Sequence, residues 1–221
     1  MPAAQAELVI FDCDGVLVDS ERLTIDIEAR VLTDMGWAIT VDEIVERFMG
    51  RSDELMLKEI ARRLGADAAA EFDEVSTAEV VAAFRDRLEP IEGVAELVHG
   101  LHQSGRTTCV ASSGTHRKMR LTLGTTGLYP VFEGRIYSAS EVDNGKPAPD
   151  LFLHAARSMN VEASRAVVIE DSVSGVAAAQ SAGMTCYGFA GGLTPRRRLE
   201  DAGAITFDHM SDLPLLLDAA T

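Results

Sequence analysis

Leu8-Val9-Ile10-Phe11-Asp12-Cys13-Asp14-Gly15-Val16-Leu17-Val18-Asp19-Ser20 is the stretch whose reading decides the fold. Its first four residues are apolar and β-prone and stop at an acidic turn, which reads as a buried strand. Asp12 and Asp14 then lie two residues apart at the strand's end. Carboxylates in such a place are costly unless something neutralises them. A divalent metal and a phosphoryl group would do so, and the pattern points to a phosphate-transfer site built on an aspartate nucleophile.

From about Gly93 onward, strand-like and helix-like segments alternate. Thr107–Ala111, Ala166–Ile169, Met184–Gly188 and Ala204–Phe207 read as strands. Val94–Gln103, His116–Thr125, Leu151–Met159, Val173–Ala182 and Pro195–Ala202 read as helices. Alternation of this kind predicts an α/β fold, a doubly wound parallel sheet that also takes in Leu8–Phe11.

Between Ser20 and Leu88 the pattern changes. Leu23, Ile27, Val31 and Met35 recur every four residues, a helical stripe. Thr40 with Glu43, and Ser76 with Glu79, have capping-box spacing, and Gly36 and Gly65 stand where helix C-caps are expected. The segment reads as four or five helices forming an inserted α-helical cap domain. The expected division is 1–18 and 90–221 for the core and 19–89 for the cap. The crossings near Val18–Asp19 and Leu88–Gly93 would be hinges.

Composition narrows the function classes. The 221 residues are 47% hydrophobic and 25% charged, with 35 acids against 20 Lys and Arg and a net charge of −15. A chain this acidic does not suit nucleic acid, and any anionic substrate must meet locally placed cations. The only lysines are Lys58, Lys118 and Lys146. Cys13, Cys109 and Cys186 are scattered in strand-like runs, without CxxC spacing. They predict reduced thiols in a cytoplasmic protein. No apolar run has membrane length, so no membrane partner is expected.

In a parallel sheet, ligands bind beyond the carboxyl ends of the strands. Four segments would converge there: Asp12 and Asp14; Ser112-Ser113-Gly114-Thr115; Lys146 within Asn144-Gly145-Lys146-Pro147-Ala148-Pro149-Asp150; and Glu170-Asp171. Asp-x-Asp-Gly-x-Leu-Val-Asp-Ser, Gly-Lys-Pro-x-Pro-Asp and Glu-Asp-Ser-x-x-Gly, in this order, resemble the haloacid dehalogenase superfamily. The match covers nearly the whole chain and is similar to the branch with a small helical cap that holds the β-phosphoglucomutase-like phosphatases.

The resemblance implies roles for these residues. Asp12 would attack phosphorus and Asp14 would act as general acid and base. Two close carboxylates push their pKa values apart, which lets one carry a proton. Mg²⁺ would be held by the Asp12 carboxylate, the Asp14 backbone carbonyl and Asp171, with Glu170 acting directly or through water. Ser112, Ser113 and Gly114 would hold phosphoryl oxygens, and Lys146 would offset their charge. In the cap, Gly50-Arg51-Ser52-Asp53 is the candidate substrate loop, with Arg51 either reading the substrate or pairing with a cap acid. Asp19 and Asp150 read as helix N-caps, and Ser112 as a cap that can also face an anion. His99 and His102 read as exposed, Arg196-Arg197-Arg198 as a solvated helix face, and Trp37 as packing the cap.

The chain departs from the mutases of that branch. Thr24 stands where they carry a cap His, Asp53 stands where they place a phosphate-clamping Arg, and no lysine lies between Lys58 and Lys118. A phosphonatase would need a cap lysine, and only Lys58 is available. The expected activity is therefore a Mg²⁺-dependent phosphatase of small phosphorylated metabolites, sugar or sugar-acid phosphates, working through an aspartyl phosphate as a monomer or weak homodimer. A β-phosphoglucomutase-type mutase is the alternative. A non-enzymatic phosphate-accepting regulatory domain is the second; such modules lack both the Asp14 acid–base and the insertion.

Overall fold

The computed structural model describes residues 6–48 and 53–219. Strands β1 (Leu8–Phe11), β2 (Thr107–Ser112), β3 (Ile136–Ser138), β4 (Ala166–Glu170), β5 (Thr185–Phe189) and β6 (Ile205–Phe207) form one sheet in the order β3-β2-β1-β4-β5-β6. Every pairing is parallel. Apolar β1 is buried along its whole length, as a central strand covered on both faces must be. The chain runs outward from β1 to β2 and β3 on one side and through β4, β5 and β6 on the other. The order thus reverses at β1, where α/β sheets bind ligands.

Residues Ser20–Leu88 form one compact unit and the rest of the chain, up to Asp19 and from Glu89, another. The inserted unit holds helices α1 (Ser20–Asp34), α2 (Val41–Phe48), α3 (Asp53–Leu64) and α4 (Ala66–Arg87). α4 packs against α1 and α3. At the start of α2 the expected capping box is present: Thr40 N–H donates to Glu43 Oε2 (3.0 Å) and Glu43 N–H donates to Thr40 Oγ1 (3.2 Å). The box expected at Ser76 and Glu79 is not formed. α4 runs through both residues, because Ala66–Arg87 contains neither Gly nor Pro and is rich in helix formers. Ser76 is buried and Glu79 pairs with Arg30 of α1. Trp37 is buried, edge-on to Phe48 and beneath the Arg63 guanidinium.

The two crossings, read from sequence as hinges, run side by side. Val18 bridges Pro90 in antiparallel fashion, Asp19 N–H donates to Glu89 O (3.0 Å) and Ile91 N–H donates to Leu17 O (3.0 Å).

The remaining helices are α5 (Val94–Gln103), α6 (His116–Thr125), α7 (Tyr129–Phe132), α8 (Asp150–Ser158), α9 (Val173–Ser181), α10 (Arg196–Asp201) and α11 (Leu213–Ala219). On one face of the sheet Leu8, Ile10, Cys109, Ala111, Val168 and Cys186 join Leu151, Phe152 and Ala155 of α8 and Val176 and Ala179 of α9 in a single core. On the other face Phe11 meets Phe132 of α7 edge-on, with centroids 6.2 Å apart. Sequence reading missed β3, α7 and α11. Three or four residues are too few to set a period, and α11 opens on Leu213-Pro214.

Ile10 is fully buried. Ile10→Ala is expected to lower unfolding stability by about 2–5 kcal/mol, whereas Leu215→Ala, at a side chain 75% exposed, should stay within about 0.5 kcal/mol. Urea unfolding of the two variants measures both.

Candidate active site

The register of the sheet brings the motif residues to one edge. Phe11 is level with Val110 of β2 and Ile169 of β4, so Asp12 leaves β1 beside the ends of both neighbours. Its N–H still donates to Ile169 O (2.9 Å). Ser112 ends β2 level with Ser138 of β3, and Glu170 ends β4.

Asp12 is buried, and so is the ammonium that meets it. Lys146 Nζ donates to Asp12 Oδ1 at 2.5 Å and to Glu170 Oε1 at 2.6 Å, with its side chain only 4% exposed. Phe152 lies under the same ammonium, 4.8 Å from ring centroid to Nζ. Burial alone would discharge the lysine, but Asp12 and Glu170 outweigh it and hold the group above its ordinary value. One ammonium cannot balance two buried carboxylates. Burial pushes Asp12 up to about 7, with Glu170 and Asp14 adding to the rise and Lys146 opposing it. Glu170 Oε2 also accepts from Asp171 N–H (3.0 Å), Ser172 N–H (2.8 Å) and Ser172 Oγ (2.8 Å). Both oxygens of Glu170 are thus engaged by the protein, and Glu170 braces Lys146 and the loop after β4.

Asp14 faces a second lysine. Lys118 Nζ, in the first turn of α6, donates to Asp14 Oδ2 at 2.8 Å. Burial opposes the charge of this ammonium too, but Asp14 outweighs it and raises the group. The loop between β2 and α6 lies alongside. Ser112 is buried and its Oγ accepts from Gly114 N–H (3.1 Å), while Ser113 is exposed. Ser138 Oγ donates to Gly114 O (2.8 Å), tying this loop to β3. Ser112 does not cap α6: Thr115 does, accepting from Lys118 N–H at 3.3 Å, because it stands next to the first helical residue. Likewise Asp150 is the first residue of α8 rather than its cap, and it accepts from Asn144 Nδ2 (3.0 Å).

Asp171 is buried and reaches into a recess walled by glycines. A Cβ on Gly15 would lie 2.0 Å from Asp171 Oδ2, and one on Gly192 would lie 3.6 Å from it. Gly15 has φ +74°, which glycine adopts without strain. The recess therefore sets an acidic oxygen against the backbone of the Asp12–Gly15 turn. Carboxylates of Asp12 and Asp171 with a backbone carbonyl make a hard-oxygen donor set. Mg²⁺ is commonly held in this way, by one or two carboxylates with water and substrate oxygens completing the shell. Among the described residues no three His, Cys, Asp or Glu side chains group into a ready metal cluster; the donor set that fits contains only two such side chains.

The sequence profile of the haloacid dehalogenase-like hydrolases matches residues 6–183. The chain belongs to this family. It is 31% identical to the 6-phosphogluconate phosphatase of Escherichia coli (strain K12) over 98% of this chain and 96% of that protein. It is 32% identical to the phosphorylated carbohydrates phosphatase of Thermotoga maritima, over 90% of this chain and 92% of that protein. Among solved structures, it is similar to a HAD family hydrolase from Deinococcus radiodurans with bound phosphate and sodium. That likeness has a TM-score of 0.86 at 32% identity and covers 98% of this chain and 97% of the other.

Of the residues singled out from sequence, Asp12, Asp14, Ser112, Ser113, Gly114, Lys146, Glu170 and Asp171 meet at the sheet edge. Arg51 and Gly50 lie outside the described residues, as does the side chain of Asp53. His99 and His102 serve local contacts: His102 Nε2 is 2.7 Å from Thr108 Oγ1, and His99 Nε2 is 2.9 Å from Gln103 Nε2. Arg196 pairs with Asp208 (2.6 Å) and Arg197 with Asp201 (3.7 Å) on the surface of α10. Sequence reading missed Lys118. Its rarity was the available signal, but its position inside a regular helix gave no motif to attach it to.

Two measurements test this geometry. A Cβ on Gly175 would fall 1.8 Å from Glu170 Oε1, so Gly175→Ala must displace a buried carboxylate from its partners. The cost should be on the order of 1–3 kcal/mol. Gly100→Ala on α5 meets nothing within 4 Å and should stabilise by about 0.5–1 kcal/mol. Denaturant unfolding of the pair gives the contrast. The second concerns pH. Because Asp12 titrates at about 7 when folded against 3.8 ordinarily, its contribution to stability is full below about pH 4 and is lost as pH rises toward about 7. In metal-free protein, Asp12→Asn should remove this decline, seen as a melting-temperature difference between parent and variant that grows from acid to neutral pH.

Proposed function

We propose that the chain is a Mg²⁺-dependent phosphatase of small phosphorylated metabolites, with sugar and sugar-acid phosphates as the substrate class. One observation carries the reading: two aspartates leave the end of the central strand together, and a buried ammonium 2.5 Å from Asp12 faces that same point. A nucleophile and an acid–base group are thus side by side with a fixed cation.

In the proposed reaction an Asp12 oxygen attacks phosphorus and the bond from phosphorus to the leaving oxygen breaks. The leaving oxygen takes the electron pair and a proton from Asp14. Water then attacks the aspartyl phosphate and gives its proton to Asp14. The bond from phosphorus to Asp12 breaks, so that phosphate departs and both aspartates are restored. Ser112 and the Ser113 and Gly114 N–H groups hold the phosphoryl oxygens. Lys146 offsets their charge while Glu170 keeps it in place. The Asp12 and Asp171 carboxylates and the Asp14 carbonyl would hold Mg²⁺, with Glu170 acting through water, and the bound ion would supply further positive charge to the phosphoryl group. The helical unit acts as the cap that chooses the leaving group, with Arg51 as its candidate reader.

The relatives named as phosphatases of 6-phosphogluconate and of phosphorylated carbohydrates support the substrate class. Three buried, unpaired thiols suit a reducing cytoplasm. Among the described residues no helix is long and apolar enough to cross a membrane. The working unit in this reading is a monomer or weak homodimer.

The test is phosphate release from p-nitrophenyl phosphate and from a panel of phosphorylated sugars and sugar acids, with Mg²⁺ and with EDTA. Activity should need Mg²⁺ and favour sugar or sugar-acid esters. Asp12→Asn should reduce turnover to background while the protein still melts cooperatively. Turnover retained by that variant, or indifferent to chelation, overturns the mechanism.

A further inference from the structure

Two of the three lysines end on the two aspartates of the β1 turn. Lys146 takes Asp12 and Lys118 takes Asp14, while Lys58 lies in solvent beside Glu54. The reading above uses Lys146 and leaves Lys118 without a role.

The placement of Lys118 is built rather than incidental. Thr115 caps α6 by accepting from the Lys118 N–H, and the next residue, Met119, is buried. The backbone of Lys118 is therefore fixed on both sides. Its stem crosses Gly114, where a Cβ would stand 3.5 Å from Lys118 Cδ, 3.5 Å from Ser112 Oγ and 3.7 Å from Asp14 Oδ2. Stem, hydroxyl and carboxylate thus converge on one glycine. The first turn of α6 contains no acid, and a cation there opposes the helix dipole. The contact sits at the rim, with Lys118 41% and Asp14 21% exposed, in contrast to the sealed Lys146.

We propose that Lys118 is the positioning residue for Asp14: by holding Oδ2 it fixes the rotation of the carboxyl so that the other oxygen is presented to the leaving group. The inference rests on the acid–base reading of Asp14. Proton transfer needs the acid within about 2.6–3.2 Å of the oxygen it serves, and a hydrogen bond to Oδ2 narrows the rotation of the carboxyl about its last torsion. Lys118 touches neither phosphorus nor the leaving oxygen in this role. Its removal should therefore matter only where Asp14 matters.

Single-turnover release of the leaving group, by rapid quench in Mg²⁺, separates the possibilities. The substrates are a sugar 6-phosphate and p-nitrophenyl phosphate, whose leaving group departs without a proton. The proteins are the parent, Lys118→Met, Asp14→Asn and the double variant, with Lys118→Gln replacing the Met variant should that fail to fold. Lys118→Met should slow release from the sugar ester about 10–100-fold at nearly unchanged KM, and from the aryl ester less than about threefold. In the Asp14→Asn background it should cost nothing more. A full additional loss in that background, an equal rise of KM for both esters, or no loss at all overturns the proposal. Asp14→Asn that leaves the sugar ester unaffected overturns the acid–base reading itself, and the positioning role with it.

Discussion

Negative charge has to be balanced where β1 and β4 end. Asp12, Asp14, Glu170 and Asp171 come together there, three of them buried, against Lys118 and Lys146. Fully ionised, the group carries a surplus of two negative charges, the amount a divalent cation supplies. Burial raises the titration of Asp12, and the carboxylates of Glu170 and Asp14 add to the rise. Lys146 cannot relieve it alone, since its one ammonium is divided between Asp12 and Glu170. In the proposed reading a dianionic phosphate could join such a group only along with positive charge, so metal and substrate would share one place.

The strand order makes this concentration possible. β1 is central, and its neighbours come from distant parts of the chain. Parallel strands point all their carboxyl ends the same way, so residues more than a hundred positions apart are delivered to one edge. Close approach then depends on absent side chains. Gly15 leaves space for Asp171 and Gly175 leaves space for Glu170. The carboxylates lie where any other residue would put a Cβ.

The strands that carry the site were legible because each combines an apolar run with an abrupt polar end. Leu8–Phe11 before Asp12 and Ala166–Ile169 before Glu170 are of this kind. The Thr40–Glu43 cap was legible because both partners lie within one turn. The Ser76–Glu79 spacing is the same, and it misled. A capping box requires the chain to leave the helix at its first residue, and nothing in Ala66–Arg87 makes it leave. β3 was missed because three residues at a sheet edge carry no period. The partnership of Lys118 with Asp14 joins residues 104 positions apart, and no local pattern encodes such a distance. That Glu170 is engaged on both oxygens by Lys146 and its own loop is a matter of geometry that a motif cannot express.

The side-by-side crossings at Val18 and Pro90 bear on how such a chain could change over time. The insertion enters and leaves through hydrogen-bonded neighbours, so its two ends are held together by the core's own backbone. To the sheet it is equivalent to a short loop, and the entropy of closing a loop grows only slowly with its length. An insert of different size or shape whose ends meet the same ladder would leave β1 and β2 paired as they are. The fold thus separates two inheritances: a sheet edge whose glycines leave room only for its carboxylates, and a segment whose length and shape the strand pairing at its ends does not fix.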